Sequence, residues 1–361
     1  MTLTIPMESA RAEDRDSVLA FQRMEESHEH AFSYLLPFGW ISHGGVVRRD
    51  PLAPSVNPMY AAPQMDFTLE RDSVGSAMIR WMPNIVYYDT RRARISGSQL
   101  FPPGSTYQGM LVYPKMNAAK YVMDLALRVA HPTAVNIRIL DRQSLGKLSR
   151  AHNRLVRGGP EKLTYSYDAA TLLLTYDEGG VTYKERWLAV IEDRGEMGGG
   201  QWGNKETVFY RAPVAEFDGL VSVFEVAFAS ISGNPDWAAT EMQTDSAQAD
   251  VALQTRRNLD DPSHRMTMHQ RQISDLVHSA LFSAPGEHLR YLNPFTGAPE
   301  RGASAWRYRW VNPMSDVLFS NDSSYVPDVD VRFAGRQFKR CESSPDSVHT
   351  SRPVPASLQS K

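Results

Sequence analysis

FSYLLPFGWISHGGVVRRD, residues Phe32–Asp50, contains two extended segments on either side of a turn. In the first segment Phe32, Tyr34 and Leu36 alternate with other residues, which is the period of a β-strand. The Pro37–Trp40 turn interrupts this pattern, and apolar residues resume after a Gly-Gly pair. We therefore predict that these residues form the opening hairpin of a β-sheet.

On both sides of this hairpin the chain alternates helical and extended periodicity. Residues Met116–Ala130 carry one apolar stripe with a charged ladder opposite, which predicts a helix. Three extended runs with short turns predict an antiparallel meander over Leu163–Arg211. The other predicted elements are a surface helix at Ser17–His30, a proline-rich loop at Asp50–Pro63, a strand at Ala77–Tyr88, a basic helix at Ser144–Leu155 and a helix at Pro213–Ile231.

The composition of the chain changes after Trp237. Residues Ala238–Leu259 have few large apolar side chains and predict an exposed helix, whose small residues would permit the close approach of another chain. A second helix is predicted to reach about Phe282. Residues Ala284–Glu342 alternate turns and short extended runs, which predict a small antiparallel sheet. The Ser- and Pro-rich Ser343–Lys361 predicts disorder.

The order of these patterns resembles that of the PsbP-like superfamily, named for an extrinsic subunit of the oxygen-evolving complex. The resemblance covers roughly Phe32–Trp237, and its markers are Phe-x-x-x-x-Pro-x-Gly-Trp at Phe32–Trp40 and Ser-x-Ser-Gly-Asn-Pro-x-Trp at Ser230–Trp237. The first marker is typical of bacterial members, and the proline-rich insertion at Asp50–Pro63 departs from the pattern. The resemblance implies an α/β/α sandwich around an antiparallel sheet, in an accessory or binding module without shared catalytic residues.

The fold class predicted for the whole chain is α+β: an antiparallel-sheet α/β/α sandwich, then a helical extension and a small antiparallel sheet. The predicted divisions are a helical lead-in at 1–31, the PsbP-like sandwich at 32–236, the helical extension at 237–283, the small β subdomain at 284–342 and a disordered tail at 343–361.

Composition and charge exclude several classes of protein. The chain has 361 residues, 42% of them hydrophobic, which is ample for a packed core in a soluble protein. Its 39 basic and 41 acidic residues give a net charge of -2, so no basic surface for nucleic acid or anionic lipid is expected. The single cysteine, Cys341, excludes an intramolecular disulfide, and we interpret it as a buried free thiol.

The first residues of the sequence lack the basic and apolar regions of a signal peptide. No later run approaches the roughly 20 apolar residues of a membrane span. As written, the sequence predicts a cytoplasmic protein without a membrane span, or an exported one if a signal peptide has been removed.

Aromatic residues in predicted strands are the candidate binding residues. They are Trp81 and Tyr87 in the first half of the chain and Trp306, Tyr308 and Trp310 near its end. In the predicted strand at Trp306–Val311 the three aromatic rings alternate with arginines and share one face. Aromatic residues of strands belong more often to a core than to a binding surface, so both interpretations stay open.

No motif for a nucleophile, a metal site or a phosphate loop is present, so no catalytic residue, metal or cofactor is predicted. The histidines at His264, His269 and His278 lack the four-residue spacing of helical zinc pairs.

We therefore expect a non-catalytic accessory or binding protein that acts through contacts with a protein partner or with its own copies. The alternative is a hydrolase with a dispersed acid and base, for which the sequence offers the candidates Asp89, Glu185, His43 and His152.

Overall fold

The computed structural model describes residues 18–48, 63–92, 101–157, 165–195, 199–241, 262–282, 290–301 and 305–343. The chain forms two compact units. One unit contains Met1–Met24 together with Ala284–Lys361, and the other contains Glu25–Ser283. We name them the terminal unit and the central unit.

Strands dominate the described residues, and they are numbered in chain order. They are β1 (Leu19–Glu25), β2 (Phe32–Pro37), β3 (Ile41–Val47), β4 (Gln64–Glu70), β5 (Met78–Trp81), β6 (Val86–Tyr88), β7 (Thr106–Tyr107), β8 (Met110–Val112), β9 (Val135–Ser144), β10 (Ser166–Glu178), β11 (Val181–Asp193), β12 (Gln201–Pro213), β13 (Ser232–Gly233), β14 (Arg290–Leu292), β15 (Pro299–Arg301), β16 (Tyr308–Val311), β17 (Val317–Ser320), β18 (Lys339–Arg340) and β19 (Glu342–Ser343).

The central unit is built on one large sheet with the antiparallel path β3-β4-β5-β12-β11-β10-β9. Its centre is the three-strand meander β10-β11-β12, each strand of 13 residues. This confirms an antiparallel meander in this region, but the first two extended runs predicted there form the single strand β10. The short strands β6, β7 and β8 attach beside β12. Strand β2 lies outside this sheet and pairs with β13.

Helices cover both faces of this sheet. They are α1 (118–130), α2 (Gly146–Arg157), α3 (Val214–Ala229) and α4 (Pro262–Phe282), and residues 235–241 are also helical. Adjacent strand residues point to opposite faces, and β12 shows this directly. Phe209 stacks on Trp187 in the core that lies under α1, at 4.3 Å between ring centroids. Tyr210 instead stacks on Phe217 of α3 and Phe282 of α4, at 5.5 and 5.2 Å.

Helix α1 is irregular in its middle. Ala118–Tyr121 and Leu127–Ala130 are α-helical turns, whereas Val122–Ala126 between them is π-helical. The helix begins at Ala118 and is capped by Asn117, whose side chain accepts a hydrogen bond from the Lys120 amide. The observed span, 118–130, confirms the helix predicted from the apolar stripe at Met116–Ala130.

Two local predictions are wrong. Residues Phe32–Asp50 do not form a hairpin, because β3 pairs with β4 and β2 pairs with β13. The Gly44 and Gly45 backbones both have positive φ. A Cβ atom at Gly44 would collide with the Asp66 carbonyl of β4, and one at Gly45 would collide with the Glu26 carboxylate, so both positions need glycine. The helix predicted at Ser17–His30 is also wrong. Its described part contains the strand β1.

The terminal unit contains the sheet β1-β17-β16-β18 and the small sheet β15-β14-β19. In β1, Phe21 is fully buried and lies edge-on against Phe319 of β17, at 6.0 Å. In β16, Arg309 is buried and forms an ion pair with Glu300. A paired arginine can face the interior because its charge is neutralised there.

The fold class is α+β, as predicted. Within the described residues no helix is long and apolar enough to cross a membrane. Three predictions fall largely outside the residues that the structure describes: the loop at Asp50–Pro63, the exposed helix at Ala238–Leu259 and the disordered tail at Ser343–Lys361.

Candidate functional site

A cleft of about 630 Å³ opens on the central unit, on the face of the large sheet that α3 and α4 cover. Its walls come from β4, β5, β10 and β12 and from helices α2, α3 and α4. A concave, mostly apolar cavity with a few convergent polar groups is the usual form of a small-molecule site. This cleft is therefore the candidate functional site, and we call it the central cleft.

One wall of the central cleft is apolar and aromatic. Trp81 of β5 stacks almost parallel on Phe228 of α3, with ring centroids 5.8 Å apart and planes 13° apart. Ile273 and Val277 of α4 also line the cleft, because residues four apart share one face of a helix. Trp81 is only partly buried, so part of its ring is available to a ligand.

A β-bulge in β12 shapes the polar side of the cleft. Val190 of β11 pairs with Glu206 while Ile191 pairs with Asn204, so Lys205 has no partner in the register. An extra residue of this kind bends a strand and redirects its side chains. Both Lys205 and Glu206 line the central cleft as a result.

A third polar residue of the cleft, His152, comes from helix α2. Its ring stacks on Tyr167 of β10, at 5.1 Å between centroids, and the Tyr167 hydroxyl donates to Glu192 at 2.9 Å. The His152 Nε2 atom lies 3.7 Å from Glu206 Oε1, which is too long for a hydrogen bond. Among the described residues this buried nitrogen has no hydrogen-bond partner, although His152 is only 4% exposed.

The pKa values of Glu206 and His152 shift in opposite directions, and desolvation is the main cause of both shifts. Desolvation inside the cleft raises the pKa of Glu206 to about 7, although 35% of its side chain is exposed and the nearby Lys205 charge opposes the shift. Burial and then the Lys205 charge lower the pKa of His152 to about 4. Between these two values the imidazole is neutral and the carboxyl is mostly protonated, so the pair carries little charge.

The structure separates the aromatic candidates chosen from the sequence. Trp81 lines the central cleft. Tyr87 is buried on the opposite face of the sheet, where it stacks on Trp202 at 4.7 Å. Its contacts are those of a core residue.

The three C-terminal aromatic candidates belong to the terminal unit. Trp310 is buried and lies edge-on against Tyr325, at 5.3 Å between ring centroids. Tyr308 is half-buried, and the Arg340 guanidinium lies 4.2 Å from its ring centroid. Trp306 precedes β16, so it is not part of the strand that was predicted to start there.

The four hydrolase candidates lie at different places in the central unit. Only His152 lines the central cleft. His43 is exposed, and its Nε2 lies 2.9 Å from Glu70 Oε1. The buried Asp89 binds the guanidinium of Arg91.

Glu185, the fourth candidate, belongs to a buried polar cluster on the α1 face of the sheet. It accepts a hydrogen bond from the Tyr176 hydroxyl and lies 3.1 Å from His131 Nε2. Arg211 donates to the same hydroxyl at 3.0 Å and to Glu178 at 2.6 Å. Most of these groups bond one another, as in a structural network, although Glu185 Oε1 and His131 Nε2 have no hydrogen-bond partner among the described residues.

The sequence analysis did not select Glu206 or Tyr167 as site residues. The signal in the sequence is weak, because Glu206 lies in a strand between Lys205 and Thr207 and resembles any solvated strand residue. Its role depends on the bulge in β12 and on the approach of α2, which are tertiary features. Among the described residues no group of three or more histidine, cysteine or acidic side chains could hold a metal ion.

The sequence was also compared with known proteins. It matches no protein-family model, and no curated protein matches it. The chemistry of the central cleft is therefore the basis for assigning a function.

Proposed function

We propose that the protein is a non-catalytic binding protein whose ligand is a small molecule held in the central cleft. The ligand has an apolar body and a head group that donates hydrogen bonds, such as a hydroxyl or an amine. The observation that carries this proposal is the buried His152 Nε2, which lacks a partner among the described residues and lies 3.7 Å from Glu206 Oε1.

The apolar body of the ligand is inferred from the wall formed by Trp81, Phe228, Ile273 and Val277. A flat ring can continue the stack of Trp81 on Phe228, since offset stacking of aromatic rings is favourable. A cleft of about 630 Å³ is within the range of cavities that hold small molecules, which run from roughly 300 to 1,000 Å³.

The donating head group is inferred from the polar side of the cleft. In the tautomer protonated at Nδ1, neutral His152 offers an acceptor at Nε2, and the protonated Glu206 carboxyl offers one donor and accepting oxygens. A hydroxyl or amine beside the two atoms, which are 3.7 Å apart, can reach both: it donates to Nε2 and accepts from the carboxyl O–H. A buried acceptor without a partner costs free energy, so a donor at this position would be bound favourably.

The test uses 2-naphthol as a probe with a flat ring and a hydroxyl donor. Naphthalene-2-sulfonate is its counterpart, with the same ring and an acceptor-only head. We expect 2-naphthol to quench tryptophan fluorescence and to give a saturable calorimetric titration, and the sulfonate to bind at least tenfold more weakly. Equal affinity for the two probes would contradict the predicted head group.

A matched pair of variants places the binding site. Ser274 and Ser279 are both exposed on helix α4, but only Ser274 lines the central cleft. The S274W variant should block the cleft and abolish 2-naphthol binding, whereas S279W should bind like the natural protein. Loss of binding in S279W, or full binding in S274W, would show that 2-naphthol does not bind in the central cleft.

The hydrolase stays as a second candidate because a carboxyl and an imidazole with shifted pKa values lie in one cleft. A Glu206 pKa of about 7 suits a general base that takes a proton from an attacking water near neutral pH. The test substrate is 2-naphthyl acetate, whose hydrolysis releases 2-naphthol and acetate. Turnover that is lost in E206Q, with 2-naphthol binding retained, would favour the hydrolase. Release of 2-naphthol from the ester at the uncatalysed rate would favour the non-catalytic binding protein.

A further inference from the structure

Strand β9 is the last strand of the large sheet, and its outer edge is long and exposed. In the described part of the chain, β9 pairs with β10 alone, over the ten residues Val135–Ser144. Nearly every residue of the strand is exposed. Such an edge presents backbone N–H and C=O groups that another strand can pair with.

The edge is also apolar. Val135, Ile137, Ile139 and Leu140 are 56, 38, 49 and 53% exposed. Edge strands that avoid association carry charges or prolines or are short. Strand β9 carries three charged residues, Arg138, Asp141 and Arg142, but it is long and exposes four aliphatic side chains. This combination indicates a surface that another chain covers.

A β-bulge at Leu140 sets which side chains share a face. Arg138 pairs with Thr175 and Asp141 pairs with Leu173, and those two β10 residues are two apart. Arg138 and Asp141 therefore point to the same face of the sheet. Ile139 pairs with Leu174 and points to the other face.

We propose that the β9 edge pairs with the β9 edge of a second copy of this chain, antiparallel and about a two-fold axis. In the register that the charges favour, Arg138 of one copy lies opposite Asp141 of the other, twice per dimer. The axis then passes between Ile139 and Leu140, so the apolar residues meet at the centre. The two sheets become one continuous sheet.

A second copy fits this edge because the pattern is self-complementary. The basic and acidic residues stand symmetrically on either side of the Ile139–Leu140 pair, on the same face. A two-fold axis converts that symmetry into two cross-strand pairs of opposite charge, which stabilise a sheet. Asp141 already accepts a hydrogen bond from Gln143, at 2.9 Å, and this contact lies on the same face as the proposed pair.

The test is sedimentation velocity of the full chain over a range of concentrations. The natural protein should shift from monomer to dimer as its concentration rises. R138E places like charges opposite each other and should weaken dimerisation at least tenfold, whereas the swapped variant R138E/D141R should restore it. R128E makes the same charge change at an exposed position on α1 and should leave dimerisation unchanged.

Hydrogen exchange of the β9 amides completes the test. The amides that bond β10 are protected in any state, so the readout is the β9 amides that point away from β10. Protection of these outer amides that rises with concentration is the expected result. A natural protein that stays monomeric at every concentration would overturn the proposal, and so would protection of the outer amides in a monomer, since another segment of the same chain would then cover the edge. A dimer that survives R138E unchanged would place the interface on another surface.

Discussion

Glu206 affects the stability of the folded protein in a way that depends on pH. Because burial raises its pKa to about 7, the folded state keeps a proton that the unfolded state releases above its ordinary value of 4.5. The protein should therefore lose stability as the pH rises from about 4.5 to about 7. Glu206→Gln has nearly the same shape and cannot ionise, so it should gain stability relative to the natural protein over this window.

Urea unfolding at a series of pH values checks this prediction. The difference between E206Q and the natural protein should grow with pH and level off above about pH 7. The protonation of His152 affects both proteins and cancels in the comparison. Glu342→Gln, at an exposed glutamate in β19, should follow the natural protein at every pH. A constant difference between E206Q and the natural protein would mean that Glu206 is not held protonated.

Glu26 illustrates the opposite case, an ionised carboxylate inside the central unit. It is 1% exposed and accepts backbone hydrogen bonds from His28, Glu29, Ala31 and Val46. Burial opposes ionisation, but the four N–H donors together outweigh it and lower the pKa. Glu26→Gln would turn an amide group towards these donors. It should destabilise the protein by about 1.5–3 kcal/mol at neutral pH, the range for hydrogen bonds to a charged group.

The pH dependence of this effect follows from the sign of the shift. A lowered pKa gives stability that is complete above the ordinary value near 4.5 and is lost as the pH falls through the folded-state pKa. The difference between E26Q and the natural protein should therefore shrink in acid, as measured by urea unfolding. Glu25→Gln is the control, because Glu25 is exposed. If E26Q and E25Q changed stability equally, the backbone hydrogen bonds to Glu26 would not contribute to stability.

At the scale of elements, helix α1 is held at its start by two side chains. Asn117 accepts from the Lys120 amide at 2.8 Å, and Asp168 of β10 accepts from the Ala118 amide at 2.6 Å. These bonds satisfy amides that lack a partner within the helix. Asn117→Ala should therefore lower stability by about 1 kcal/mol, the usual cost of losing such a cap.

Thermal unfolding checks the cap, with Asn117→Asp as the control. Aspartate keeps an accepting oxygen and adds a negative charge at the helix start, so N117D should be as stable as the natural protein. If N117A and N117D lost stability equally, the effect would come from packing and the cap would contribute nothing.

Regular elements were predictable from the sequence wherever local periodicity determined them. Helices α1 and α3 were predicted from apolar stripes, and the β10–β12 meander from short turns between extended runs. Strand β1 was not predicted, because Val18, Phe21 and Met24 also fit a helical spacing. Its strand form depends on pairing with β17, at the far end of the chain. Tertiary pairing overrides the local pattern in this strand.

The candidate site was predictable only in part, and for the same reason. Trp81 was selected as an aromatic strand residue and does line the central cleft. His152 was named only as one of four dispersed acid and base candidates. Its approach to Glu206 joins helix α2 to strand β12, and no local pattern records that contact. Spacing within a sequence identifies sites built on one element, and this site is built on several.

At the scale of the whole molecule, the division into two units predicts which pieces fold alone. The central unit is a continuous segment, Glu25–Ser283, with its own sheet and core. Residues 25–283 expressed alone should fold and bind 2-naphthol with the affinity of the full chain. Circular dichroism and calorimetry check this, and a collapsed or non-binding product would mean that the unit depends on the rest of the chain.

Removal of the first 24 residues makes the complementary test. The terminal unit would lose β1, and with it the packing of the fully buried Phe21 on Phe319. Residues 25–361 should therefore keep the central unit folded while the terminal unit becomes sensitive to proteases. Phe21→Ala in the full chain should have the same effect in weaker form, since truncating a buried phenylalanine costs about 3–5 kcal/mol.

The pairing of β1 with β17 also has a consequence for synthesis on the ribosome. Leu19 pairs with Phe319, three hundred residues later in the chain. At the usual rate of translation, about 5–20 residues per second, β1 emerges roughly 15–60 s before its partner exists. The central unit can fold during that wait, whereas β1, with the apolar Phe21, lacks its β17 partner until the end. We therefore expect a chaperone to bind β1 of the nascent chain. Slower translation should lengthen the time during which β1 lacks β17 and can aggregate.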